Sequence, residues 1–274
     1  MIPETANRKD WPRLVANAVN ELIRTQEVTF NPLNHALKQI KNDYGVAAEY
    51  KPKTLAKFGR FATLGTSYEV VQEHGGVETH LTSNLIDVVV SDSASDTGAI
   101  SIEGHTIDGS GNLTFVVQTA TLNGVTNVTL STPLARATRI SNAGAVGFVG
   151  VVTVKDDSTA TTYVTAGPDF NQSEKAATSV SQNDYWVITD VFGGVLEKTT
   201  ASVDFSLQIK LQGGVYREAY GWSAASGSAS VPHNLNVPII APANSDVRVM
   251  GKASASNVEV VARVSGFLAL DKNT

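Results

Sequence analysis

The 274-residue sequence contains no cysteine, which excludes disulfide scaffolds, thiolate zinc sites and cysteine nucleophiles together. Charge is scarce as well: Asp, Glu, Lys and Arg make up 17% of the chain, and aromatic residues only 7%. No apolar run approaches the roughly 20 residues of a membrane-spanning helix. The longest, Gly144 to Val154, is interrupted by glycine throughout. Met1 to Asp10 lacks the apolar stretch of a secretory signal, so a protein made as a soluble cytoplasmic product is expected. What is present, 42% hydrophobic and rich in Val, Thr and Ser, is poor material for a disordered chain and suits a globular β protein. Area scaling lets a chain of this length bury about three quarters of its surface, enough for one large domain or two small ones.

The charge is unevenly placed. Residues 1–60 carry ten basic side chains against six acidic ones, a balance of +4, and the remainder must carry −9 to give the formal total of −5. A basic N-terminal segment before an acidic body suggests either an arm that docks on something acidic, such as a neighbouring copy of the body, or a solvated face.

Helical patterning is confined to that segment. Asp10 is placed to cap a helix whose first turn holds Pro12, and Leu14, Val15, Ala18, Val19, Leu22 and Ile23 recur at three- and four-residue steps. A second start at Asn31-Pro32 leads into Leu33, Leu37, Ile40 and Tyr44, with Gly45 as the closing residue. Helices this short are marginal alone, so their stripes must bury against the body, each other or a partner. Association across a threefold axis would place Leu33, Leu37, Ile40 and Tyr44 in a short seam. Residues 47–60 read as a basic linker.

From about Phe61 the period changes to two. A dozen or so segments read as strands, among them Ile86 to Val90, Ala99 to Ile107, Leu113 to Leu122, Tyr185 to Phe192, Val203 to Leu211 and Val258 to Leu270. Turn clusters separate them, including Asp92 to Gly98, Asp108 to Asn112, Gly193-Gly194 and Gly213-Gly214. Asn123-Gly124, between two strand patterns, predicts a type I′ hairpin. The expected fold is all-β: an antiparallel sandwich, jelly-roll or Ig-like, over residues 61–274 behind a helical arm and linker over 1–60. A single continuous body is expected, the other arrangement being two sub-domains that meet near residue 170.

Sites for chemistry are few. The sequence has no Gly-x-Ser-x-Gly elbow, Walker loop, dinucleotide-binding fingerprint or His-Glu-x-x-His. His74, Glu78 and His80 flank Gly75-Gly76 and could meet at a metal only in a particular turn; polar strand ends explain them equally. His105 between Glu103 and Asp108 has no nucleophile beside it and reads as a surface strand residue. Asp92, Ser93, Ser95 and Asp96 resemble a calcium loop but also satisfy Asx-turn chemistry. Asp156-Asp157 sit on a turn and would point apart, unlike a glycosidase pair. Trp186, Trp222, Tyr216 and Tyr220 lie on strands; Trp222 and Tyr220 could stack on a sugar if exposed, and belong to the core if not. No catalytic residue, metal, cofactor, nucleic acid or membrane is expected.

Several segments resemble a family of tailed-bacteriophage virion proteins, notably from marine phages. They are Asn84 to Gly98, Ile102 to Gly109, Gln118 to Leu130, Pro133 to Asn142, Asn171 to Ser179 and Ser245 to Met250. Arg8 to Leu22 is similar to short helical anchors on phage fibre and tail proteins. The resemblance implies a non-enzymatic assembly component of the virion, multimeric and partnered by other tail, neck or capsid proteins; production in the host cytoplasm is expected, and the threefold seam favours a trimer. Arm-then-body order favours a tail, neck-fibre or baseplate position over capsid decoration. The alternative is a host-surface carbohydrate-binding module of the virion.

Overall fold

The structure, a computed structural model, describes residues 32–45, 48–75, 78, 80–196, 201–227 and 232–271. The first expected helix, with Leu14, Val15, Val19, Leu22 and Ile23, lies outside them. The second is present as α1 (Pro32–Tyr44), and the Gly45 amide closes it on the Lys41 carbonyl at 3.0 Å.

The chain then enters β1 (Ala48–Leu64) and β2 (Glu69–Val70). Seven strands follow as a block: β3 (Ile86–Ser91), β4 (Ala99–Ile107), β5 (Leu113–Thr121), β6 (Val128–Leu134), β7 (Arg136–Asn142), β8 (Val152–Lys155) and β9 (Thr162–Ala166). Seven more complete the chain: β10 (Ala177–Ser179), β11 (Asp184–Val195), β12 (Ser202–Lys210), β13 (Tyr216–Ala225), β14 (His233–Ala241), β15 (Asp246–Ala253) and β16 (Val258–Asp271). All the pairings among them are antiparallel, as the all-β sandwich reading expects.

The β region is two sandwiches, one inserted into the other, rather than one continuous body. In the first, a sheet ordered β1-β16-β11-β14 packs on a sheet ordered β10-β15-β12-β13, with β2 added alongside β15. Its core includes Phe61, Trp186, Ile188, Phe205, Leu207, Trp222 and Val264. Between β2 and β10 the chain leaves to build the second sandwich, from sheets β6-β3-β8-β9 and β5-β4-β7. Its separate core holds Ile86, Ile100, Ile102, Leu134, Ile140 and Val154.

Strand alternation explains why the first sandwich carries a third layer. On β11, Trp186 and Ile188 point into the core, so Tyr185 and Val187 face the opposite way and need cover. The apolar stripe of α1 supplies it: Ala36, Ile40 and the half-buried Leu37 pack with Tyr185, Val187, Ile240 and Ala269. Ile40 is therefore buried on its own body and is not free to fill a threefold seam. The side chains of Leu33 and Tyr44 lie outside the described residues.

Three other expectations change. Residues 48–60 are the greater part of β1, paired with β16 from Ala48↔Asp271 to Leu64↔Val258, and not a linker. Asn123-Gly124 does not close a hairpin, because β5 pairs with β4 while β6 pairs with β3 in the other sheet. Of that pair only Gly124 has positive φ, 58°, where type I′ needs both. Gly193-Gly194 continue β11, opposite Ala262 and Val261 of β16. A Cβ on Gly193 would stand 2.6 Å from Phe205 and from the Trp222 indole nitrogen, so that glycine is a packing requirement rather than a turn signal.

Candidate functional site

The two sandwiches meet through buried charge. Arg136, at the start of β7, donates from Nε and Nη2 to the two carboxylate oxygens of Asp246 on β15, at 3.0 and 3.3 Å. Its Nη1 donates to the carbonyls of Leu81 and Ala135, and the Ser179 hydroxyl donates to Asp246 at 2.6 Å. Burial alone would raise the Asp246 carboxyl, but His80, Arg136 and Ser179 outweigh it and hold it below the usual carboxylate range.

Further polar contacts surround this pair. His80 Nε2 is hydrogen-bonded to the Tyr216 hydroxyl, and the guanidinium of Arg248 lies 3.6 Å from the centre of the Tyr216 ring. Burial pushes the His80 imidazole down to about 3 and raises the Tyr216 phenol. Lys175, just before β10, donates to Glu78 at 2.7 Å and to the carbonyls of Ala137 and Tyr163 in the inserted sandwich. At the other end of the junction the Asn244 side chain accepts from the Leu113 amide at 2.8 Å, and the Gln182 amide donates to the Leu113 carbonyl. Buried ions held this way cost much if one partner is removed, so the network fixes the relative placement of the two sandwiches.

Beside the network the junction opens into a cleft of about 570 Å³ between β1 and the β5-β4-β7 sheet. Lys57, Glu103, His105, Phe115, Val117 and Arg139 are among its lining residues. The His105 ring is buried, against its expected place on a strand surface, and meets the Phe115 ring edge-on with centroids 5.4 Å apart.

The other sequence candidates are drawn into structural roles. His74 is exposed, Glu78 is committed to Lys175 and His80 to Tyr216, so the three do not converge; no metal-ligating cluster occurs among the described residues. In the Asp92 to Gly98 loop, Asp96 accepts from the Ser91 hydroxyl and from the Val149 and Gly150 amides, which spends its carboxylate on tying that loop to the segment before β8. Asp156 caps its own turn through Ser158 and Thr159, while Asp157 accepts from Asn127. Trp222, a candidate sugar platform, is only 7% exposed and stacks on Phe205 inside the first core. Tyr220 is half-buried beside it, with its ring centre 6.0 Å from that of Trp222.

Sequence reasoning missed the junction because its partners are remote. Arg136 and Asp246 are 110 residues apart, and Lys175 and Glu78 are 97 apart. The available signal was an arginine flanked on both sides by apolar residues, as in Ala135-Arg136-Ala137 and Val247-Arg248-Val249.

No protein-family model matches the chain, and neither does any curated protein. Among solved structures, one of the infectious bursal disease virus Gt strain is 10% identical over 83% of this chain and 74% of that chain, with a TM-score of 0.23. The VP2 subviral particle of the same virus is 9% identical over 83% of this chain and 73% of that one, also with a TM-score of 0.23. The likeness to these virus-particle structures is weak, and too low to establish a shared topology.

Proposed function

We propose that the chain is a non-enzymatic structural protein of a tailed-phage virion, multimeric, with its N-terminal region docking onto the particle and its two sandwiches forming a rigid exposed body. The observation that carries this reading is where the phage-like segments fall. Asn84 to Gly98, Ile102 to Gly109, Gln118 to Leu130 and Pro133 to Asn142 build the inserted sandwich. Asn171 to Ser179 and Ser245 to Met250 supply Lys175, Ser179, Asp246 and Arg248 to the buried junction. The resemblance thus lies on residues that shape and lock the fold. A body fixed internally by buried ions transmits load between an anchor and an exposed end, which is what an appendage requires. Tail, neck-fibre or baseplate placement is preferred to capsid decoration, because the N-terminal segment precedes the whole body in sequence.

The test is co-purification with particles. Virions banded on a density gradient, from the lysate of the phage that carries the gene, are expected to contain the chain at fixed stoichiometry. Antibodies against residues 81–172 are expected to label them in electron micrographs. A chain found wholly in the particle-free fraction would contradict the assignment.

A further inference from the structure

The cleft at the junction has the features of a built binding site. Lys57 points inward from β1 and is 7% exposed, yet its closest partner is a Glu103 carboxylate oxygen at 3.7 Å, longer than a hydrogen bond. Arg139 approaches the other Glu103 oxygen at 3.5 Å and donates to Gln172 at 2.8 Å. One carboxylate therefore stands between two cations without closing on either. His105, 2% exposed and lining the same cleft, has an Nδ1 atom that is buried with no hydrogen-bond partner. Buried polar atoms without partners are rare and point to a group that completes them.

The charge count narrows that group. Four cations line the cleft, Lys53, Lys57, Arg139 and Lys175, against the acids Glu103 and Asp184; Lys175 is already matched by Glu78 behind it. One positive charge remains, which suits a monoanion, whereas a phosphate dianion would crowd Glu103. The walls supply the other half of the specificity. Phe58, Phe115 and Val117 leave large apolar areas open at the cleft, Val117 being 57% exposed. The volume, about 570 Å³, is that of a site for a small organic molecule.

We propose that the cleft between the two sandwiches binds a monocarboxylate carried on an apolar body, with the carboxylate at Lys57 and Arg139 and the body against Phe115 and Val117. This goes beyond the virion assignment and stands or falls separately from it. Binding carries a proton signature. Burial lowers the Lys57 ammonium to about 8; Arg139 and Lys175 add to that push and Glu103 opposes it, with His105 also facing the group. An arriving carboxylate raises Lys57 again, so at pH 8 binding takes up as much as about half a proton, and apparent affinity falls as pH rises further.

Titration calorimetry of the full chain with phenylacetate tests the proposal, with phenylacetamide and inorganic phosphate as controls. Saturable phenylacetate binding is expected, with the amide and phosphate each at least about tenfold weaker. The heat at pH 8 is expected to vary with the ionisation enthalpy of the buffer. Lys57→Met should remove both the affinity and the buffer dependence, and Arg139→Gln, at a half-exposed position, should weaken binding without disturbing the core. A capped Leu-Glu-Leu peptide run alongside distinguishes a free acid from an acidic side chain on an extended partner, according to which probe binds more tightly. Equal binding of acid and amide, unchanged binding in both variants, or no binding of either carboxylate at tens of millimolar overturns the proposal.

Discussion

The two sandwiches reach stability by different routes. The first packs Trp186, Phe205 and Trp222 between sheets whose longest strands run 17, 14 and 12 residues, and covers one outer face with α1. The inserted one packs Ile86, Ile100, Ile102, Leu134 and Ile140 between strands of nine residues or fewer. It fastens its turns with side chains: Asp96 on Val149 and Gly150, Asp108 on Ser110 and Asn112, Asn171 on Phe148. Long ladders and aromatic volume hold the first together; short strands leave the second to depend on hydrogen-bonded loops. Neither core reaches the other, so their union rests on the polar junction.

This contrast can be broken in order of size. Trp186→Ala removes the largest fully buried side chain of the first core and should cost about 3–5 kcal/mol in denaturant unfolding. Amide exchange should accelerate more over residues 184–271 than over 86–166; equal acceleration in both would mean that the cores are not separate. Arg136→Met comes next. It leaves Asp246 buried without its bidentate partner, and breaking such a pair costs about 3–5 kcal/mol, of which part is recovered by the apolar replacement. The expected sign is one unfolding transition becoming two.

Asp96→Asn should cost about 1–3 kcal/mol, because an amide nitrogen then faces the Val149 or Gly150 donor, and the loss should be confined to the inserted sandwich. Tryptophan fluorescence separates the two, since Trp186 and Trp222 belong to the first core and the inserted sandwich has no tryptophan. Acid is the mildest probe. Burial raises the Asp96 carboxyl, but the Ser91 hydroxyl and two amides outweigh it; backbone and side-chain bonds from Asn112 lower Asp108, and bonds from Ser158 lower Asp156. Their folded pKa values lie below the unfolded value of about 3.9, so the stability they contribute is complete above that pH and is lost as pH falls through the folded values. Circular dichroism should show the inserted sandwich loosening before tryptophan fluorescence changes.

How much of this is legible in the sequence depends on whether the pattern is local. The spacing of Leu33, Leu37, Ile40 and Tyr44 with Gly45 places α1, and period-two alternation places β4 to the residue. β1 reads as linker because its inward positions include Lys57 and Gly59, where the pattern needs apolar side chains. The charged residues of β1 face their opposite charges only at long range. Arg60 bonds Glu259 at 2.6 Å across 199 residues, and Lys57 faces Glu103 of the inserted sandwich. The charge imbalance at the N-terminus therefore has a partly internal meaning: some of the basic residues dock on the acidic body of their own chain. Asn123-Gly124 misleads for a related reason, since Ala94 and Asp96 of another loop, not the local turn, dictate the crossing there.

The structure also moves the boundary at which the arm can be tested. A cut at residue 58 would remove most of β1 and bare the β16 edge, whereas a cut before Pro32 keeps α1 on Tyr185 and Val187. Light-scattering mass of the full chain beside residues 32–274 is the most direct measurement of the assembly claim. A multimer, a trimer by preference, is expected for the full chain, and a folded monomer for the fragment. A full chain that is monomeric at every concentration would contradict it.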